Sequence, residues 1–288
     1  MKSTGTMDLV IQGGGVPTFL LDRCVAATGA TSVKPLPPKV VRLINAAPSP
    51  GLDTETQRLL ANEKLDWAFV HSGKKLQDYG LIAFDMDSTL ITVECIDELA
   101  DFAGQKHAVA AVTESAMRGE IDYKESLSRR LALLEGLDAR VLAQVYEERV
   151  RLSPGAKELL AAAQKAGLRT AILSGGFTYF TERLRIELGF DFATSNELEI
   201  AGGKITGRTL GDIVDAATKA ERLNLIRNEL GLKPEQVIAI GDGANDIPML
   251  ESVGLSIAYH AKPATREHAD IALNFSGLDG VLNLLEPT

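Results

Sequence analysis

Four short polar segments of this chain hold residue types suited to phosphate chemistry. Asp85-Met86-Asp87-Ser88-Thr89 sets two carboxylates two residues apart. On a loop both can face one pocket, where one attacks phosphorus and the other manages the proton of the leaving group. Ser174-Gly175-Gly176 offers a hydroxyl and backbone amides that a phosphate oxygen can approach closely. Lys219 has a charge that could neutralise both a carboxylate and a phosphate. Gly241-Asp242-Gly243-Ala244-Asn245-Asp246 clusters oxygen donors on a glycine-rich loop, the ligand chemistry a hard cation takes.

Taken singly, each has an ordinary reading as an acidic turn, a tight turn, a surface lysine or a polar loop. Their order decides between the readings. Short apolar runs, the pattern of strands buried on both faces of a parallel sheet, occupy 81–84, 170–173, 237–240 and 255–258. Three of the polar segments follow such a run directly, at the carboxyl ends where open α/β sheets bind ligands. Helical patterns over 156–166 and 218–230 end at Gly167 and Gly231 and supply the alternation of a doubly wound α/β fold. Residues 93–152 interrupt that alternation with a helix-rich stretch, which reads as an inserted helical cap. Residues 197–208 read as a hairpin turning at Gly202-Gly203.

The polar, glycine-punctuated stretch around 72–80 separates this core from a small N-terminal α+β domain over 1–75. Its predicted order is strand, helix, strand, helix, strand, over 9–12, 18–27, 40–46, 54–61 and 66–70. Residues 76–288 form the larger domain.

The bulk properties exclude several classes. With a net charge of −9, the chain lacks the basic surface that nucleic acid demands. No apolar run reaches the roughly 18–20 residues that span a bilayer. The N-terminus lacks the apolar core of a signal peptide. Cys24 and Cys95 lie far apart without metal-site spacing, so free thiols in a reducing, cytoplasmic setting are expected.

The ordered set Asp85-x-Asp87, Ser174-Gly175, Lys219 and Gly241-Asp242-x-x-Asn245-Asp246 resembles the haloacid dehalogenase superfamily, and within it the branch that hydrolyses phosphoserine. The resemblance covers roughly residues 80–280. It implies a magnesium-dependent phosphomonoesterase with Asp85 as nucleophile and Asp87 as general acid and base. By the same resemblance Mg²⁺ is held by Asp85, the main-chain carbonyl of Asp87 and Asp242, with Asp246 supporting that set through water or hydrogen bonds. Ser174, Gly175, Lys219 and Asn245 hold the phosphoryl group. Glu94 receives the substrate ammonium and Arg130 its carboxylate, with Met117 and Tyr123 lining the pocket. Tyr123 is a mild departure, since the family commonly has Phe there.

Two other readings use similar residues. A phosphotransferase passing the phosphoryl group to an alcohol such as homoserine needs almost the same site. A receiver-like signalling domain also phosphorylates an aspartate, but needs neither Asp87 nor a cap. Residues 1–75 lie outside the resemblance. Some bacterial members have an accessory domain there, sometimes of the amino-acid-binding ACT type, through which a homodimer could form.

Overall fold

The computed structural model describes residues 6–36 and 39–286, except for the side chain of Met117. Two sheets organise it. The N-terminal unit runs β1 (Met7–Gln12), α1 (Thr18–Thr28), β2 (Ser32–Leu36), β3 (Val40–Ile44), α2 (Thr54–Asn62) and β4 (Asp66–His71). Its sheet has the order β2-β3-β1-β4 with every pairing antiparallel, the split β-α-β-β-α-β arrangement. The sequence pattern shows only three of these strands. The extra one, β2, contains Pro35 and is almost wholly exposed, so it lacks an alternating apolar signature. A proline without an N–H is tolerated there because β2 lies at the sheet edge.

One face of this sheet buries Leu9, Ile11 and Leu43 against Leu20, Cys24 and Leu60 of the two helices. The opposite face, with Val10, Val40, Ala68 and Val70, joins the main core of the larger domain. Polar bonds reinforce that contact. Arg42 and Asp8 form a fully buried ion pair at 3.2 Å. The Arg42 guanidinium also donates to the carbonyls of Asn283 and Leu285. Both carboxylate oxygens of Asp66 accept backbone N–H groups from residues 274–276.

The larger domain places β5 (Leu81–Phe84) at the centre of a seven-stranded sheet. The cap follows as α3 (Cys95–Phe102), α4 (Lys106–Met117), α5 (Tyr123–Ala132) and α6 (Val141–Glu148). Its neck is narrow: Ile91 pairs with Leu152, and Thr92 N–H donates to the Arg151 carbonyl. The chain returns through α7 (Ala156–Lys165), β6 (Arg169–Phe177), α8 (Thr178–Leu188), β7 (Phe192–Ala201), β8 (Lys204–Leu210) and α9 (Ala216–Glu229). Strands β9 (Val237–Gly241), β10 (Leu255–Tyr259) and β11 (Ile271–Leu273) complete the sheet, with short helices between and after them. The order is β11-β10-β9-β5-β6-β7-β8, parallel except for β8. This is the doubly wound α/β core with a helical insertion expected from the apolar runs.

Two strands of this sheet escaped the sequence pattern. The first half of β7 pairs parallel to β6, yet it is half-exposed and polar, so only its hairpin half with β8 is visible. Strand β11 is three residues long, too short to show a period.

Removing one member of the buried pair leaves the other charge without compensation. Arg42→Ala is expected to lower the stability measured by urea unfolding by about 3–5 kcal/mol.

Candidate active site

Strand β5 lies between β9 and β6, and the direction of winding reverses beside it, which opens a crevice at the carboxyl ends of these strands. Asp85 follows β5, Ser174 lies near the end of β6, and Asp242 follows β9. Segments more than 150 residues apart in sequence therefore meet by strand order alone.

After β5 the chain closes a wide turn in which the N–H groups of Leu90 and Ile91 donate to the carbonyls of Asp85 and Met86. Asp87 turns inward and accepts the Cys95 N–H at 3.1 Å. Thr89 donates its hydroxyl to Asp242 Oδ1 at 3.1 Å, tying the first loop to the acidic one.

Lys219 closes the first turn of α9, a helix capped by Asp215, whose carboxylate accepts the Thr218 N–H at 2.9 Å. Fully buried, Lys219 Nζ donates to Asp85 Oδ1 at 2.6 Å and to Asp246 Oδ1 at 2.7 Å. Asp246 Oδ2 accepts the N–H groups of Asp242 and Gly243. With both oxygens engaged, Asp246 braces the loop and the lysine. Asp85, Asp242 and Asp246 each bring an oxygen within 4.8 Å of the others.

The electrostatics follow from this crowding. Burial, then the charges of Asp246 and Asp242, push the Asp85 carboxyl well above its ordinary range, against the pull of Lys219. Burial and then Glu94 push Asp87 up to about 7, opposed by its bond to Cys95. Burial, Asp246 and Glu94 push Asp242 up to about 7. Burial disfavours the Lys219 charge, but Asp246 and Asp85 outweigh it and hold the ammonium above its usual range. One lysine therefore faces several buried carboxylates. Such an all-oxygen set, with its surplus of negative charge, fits a hard divalent cation.

Strand β6 breaks register between Leu173 and Phe177, and this irregularity forms the Ser174-Gly175-Gly176 loop. The Ser174 hydroxyl accepts the Gly176 N–H at 2.9 Å. A side chain at either glycine would force its neighbours to shift. A Cβ on Gly176 would lie 2.6 Å from Asp87 Oδ2, and one on Gly175 would collide with the Tyr123 hydroxyl of α5. That hydroxyl donates to the Gly175 carbonyl at 3.3 Å, and beside it Lys124 pairs with Asp215 at 3.1 Å. The cap thus touches both elements that frame the crevice.

The remaining sequence-derived candidates are more dispersed. Asn245 is half-buried, its carboxamide lying over Gly243. Glu94 is exposed at the start of α3 and accepts the Ser88 hydroxyl at 2.7 Å. Arg130 is half-buried on α5 and its charge acts on Tyr123, whereas Arg129 is exposed and engaged by Glu125. Met117 closes α4, and its side chain lies outside the described residues.

Sequence reasoning did not single out Thr89 or Asn196. Thr89 lies inside the first motif, where its role required knowing that Asp242 is adjacent. Asn196 donates to the Gly175 carbonyl at 2.7 Å and accepts the Val214 N–H at 2.8 Å, fastening the glycine loop to the entry of α9. Only the pairing of β7 with β6 brings it there.

A profile of the haloacid dehalogenase-like hydrolases matches residues 82–251, and with this fold and site the chain belongs to that family. Phosphoserine phosphatase of Polaromonas sp. is 54% identical, over 74% of this chain and 92% of its own length. Among solved structures, a haloacid dehalogenase-family hydrolase from Salmonella enterica serovar Typhi superposes with a TM-score of 0.85 at 33% identity. That likeness covers 98% of this chain and 99% of the other, so it takes in the N-terminal unit. A probable phosphoserine phosphatase from Vibrio cholerae gives 0.82 at 37% identity, over 97% of this chain and 86% of the other. Among the described residues no helix is long and apolar enough to cross a membrane.

Two outcomes follow from the geometry. Metal ligands must be deprotonated to bind. Asp242 titrates at about 7 in the metal-free fold, and Asp85 is also raised. Without metal, their contribution to stability is full below the unfolded carboxylate value of about 4. It falls as pH rises through about 7, where the folded protein gives up protons that the unfolded chain has already lost. The gain in Tm on adding a hard divalent cation is therefore expected to be larger at pH 8 than at pH 5.5, as thermal scans at the two pH values will read.

Gly175→Ala is expected to abolish most activity without unfolding the chain. Tyr123→Phe in the same protein should restore part of it, since the collision is first with the hydroxyl oxygen. Steady-state assays of the single and double variants check this.

Proposed function

We propose that this chain hydrolyses O-phospho-L-serine to serine and phosphate through a phospho-aspartyl intermediate on Asp85, with Mg²⁺ as its metal. The observation that carries the reading is the juxtaposition of two inward-turned carboxylates with different partners, Lys219 for Asp85 and the Cys95 N–H for Asp87. Asp85 is buried against Lys219, and Asp87, pushed up to about 7, follows two residues later. A group titrating near neutral pH suits a general acid that must then become a base.

In the first step an Asp85 oxygen attacks phosphorus while Asp87 gives its proton to the departing serine oxygen. In the second, Asp87 takes a proton from water as that water attacks the same phosphorus, releasing phosphate and restoring Asp85. Ser174, Gly175, Lys219 and Asn245 are read as holding the phosphoryl oxygens. Asp85, the Asp87 main-chain carbonyl and Asp242 are read as the metal set, braced by Asp246. When bound, the cation offsets the repulsion between these carboxylates and a phosphate dianion.

For the substrate, Glu94 is read as the ammonium acceptor and Arg130 as the fork for the carboxylate, with Met117 and Tyr123 beside them. The Glu94 charge reaches both Asp87 and Asp242, which supports a position at the mouth of the crevice. The engagement of Arg129 by Glu125 supports Arg130 as the available guanidinium. The Polaromonas relative carries the name phosphoserine phosphatase, which agrees with this choice. Two free, buried cysteines, Cys24 and Cys95, accord with a reducing cytoplasm.

The test is phosphate release from L-phosphoserine with Mg²⁺, beside phosphothreonine, p-nitrophenyl phosphate and an EDTA control. Expected is a metal-dependent preference for phosphoserine that Asp85→Asn lowers by several orders of magnitude. Hydrolysis of p-nitrophenyl phosphate without that preference would keep the chemistry and discard the substrate. No turnover of any ester would discard both.

A further inference from the structure

We propose that Ser88 is a positioning residue for substrate selection: its hydroxyl holds the Glu94 carboxylate in the orientation that receives the substrate's ammonium group. This rests on the reading of Glu94 given above.

The first observation is backbone geometry. Ser88 sits at φ 57°, ψ 0°, in the left-handed region, immediately after Asp87. Most left-handed positions in this chain are glycine, including the turns at Gly119, Gly155 and Gly211. Glycine adopts that conformation without steric penalty, whereas a residue with a Cβ does not. A serine kept at a glycine-type position costs stability, and such strain is sustained where the side chain has a use.

The second observation is the contact its side chain makes. The Ser88 hydroxyl donates to Glu94 Oε1 at 2.7 Å. Its own N–H donates to the Val93 carbonyl at 3.2 Å, so backbone and side chain together draw the Asp87 loop to the start of α3. Among the described residues this hydroxyl is the only hydrogen-bond partner of the Glu94 carboxylate, and Glu94 forms no ion pair there. Glu94 is exposed, and its side chain does not cap its own helix.

The third observation is the exposure of Glu94 at the start of α3. A long, exposed side chain without a fixed donor would turn to solvent and would have to be reordered at each binding event. A donor at 2.7 Å removes much of that ordering cost. The left-handed conformation at Ser88 is what aims the hydroxyl across the turn.

The test compares L-phosphoserine with its analogue bearing hydrogen in place of the ammonium, using Ser88→Gly, Ser88→Ala, Glu94→Gln and Ser88→Gly/Glu94→Gln. Selectivity is the ratio of kcat/KM for the two esters. Ser88→Gly and Ser88→Ala are expected to lower it roughly ten-fold, the scale of a hydrogen bond to a charged group. The loss should fall mainly on KM for phosphoserine. Ser88→Gly should do so with a Tm equal to or above that of the unmodified chain, because it relieves the strained residue. The double variant should lose no more selectivity than Glu94→Gln alone.

If both esters slow by one common factor, Ser88 merely shapes the loop and the proposal is overturned. If Glu94→Gln destroys selectivity while both Ser88 variants keep it, the positioning role fails and the substrate reading stands. If Glu94→Gln keeps selectivity, the reading of Glu94 fails and the positioning role fails with it.

Discussion

A single buried ammonium group holds the site together. Lys219 lies between Asp85 and Asp246, at 2.6 and 2.7 Å, and all three side chains are almost entirely removed from water. Two carboxylates buried this way repel each other and lose their hydration, so neither is sustainable without a fixed opposite charge. That requirement propagates outward. Lysine reaches both because α9, capped by Asp215, packs against β6 and the acidic loop at 244–246. Asp246 is oriented toward the lysine by its other oxygen, which accepts two backbone N–H groups of the acidic loop. The negative charge left over on Asp85 and Asp242 makes an oxygen set that a hard divalent cation would fit.

Around that charge cluster, space is rationed by glycine. The loop after β6 approaches Asp87 on one side and Tyr123 on the other so closely that neither Gly175 nor Gly176 has room for a Cβ. The cap is fastened to the glycine loop and to the start of α9 by adjacent residues. Tyr123 bonds the glycine loop, and Lys124 bonds the cap residue of α9. Cap position and site geometry are therefore linked through α5, and the cap is also held by backbone bonds between residues 136–139 and the β7–β8 hairpin at 203–205 and by the Tyr146 hydroxyl donating to Glu187.

The N-terminal sheet is also part of this architecture. One of its faces is buried in the core of the larger domain, and Arg42 and Asp66 satisfy backbone groups of the C-terminal segment that no strand of the larger sheet reaches. The unpaired edge at β2 carries Lys34 and Pro35, residues that discourage pairing along that edge.

The sequence by itself determined the chemistry-bearing residue types and the strands that present them. Four-residue apolar runs such as 81–84 and 237–240 announce strands buried on both faces, and loops that follow such strands open at the sheet's carboxyl edge. Local patterns carry that information because a buried strand must be apolar at every position. The same logic fails for β2, half of β7 and β11, which are exposed, polar or too short to show a period. Tertiary structure alone decided which donors meet. Thr89 reaches Asp242, Asn196 reaches Gly175, and Tyr123 of α5 reaches the Gly175 carbonyl. Those contacts depend on strand order and on the rotation of α5, properties of packing between distant segments that no short stretch of residues encodes.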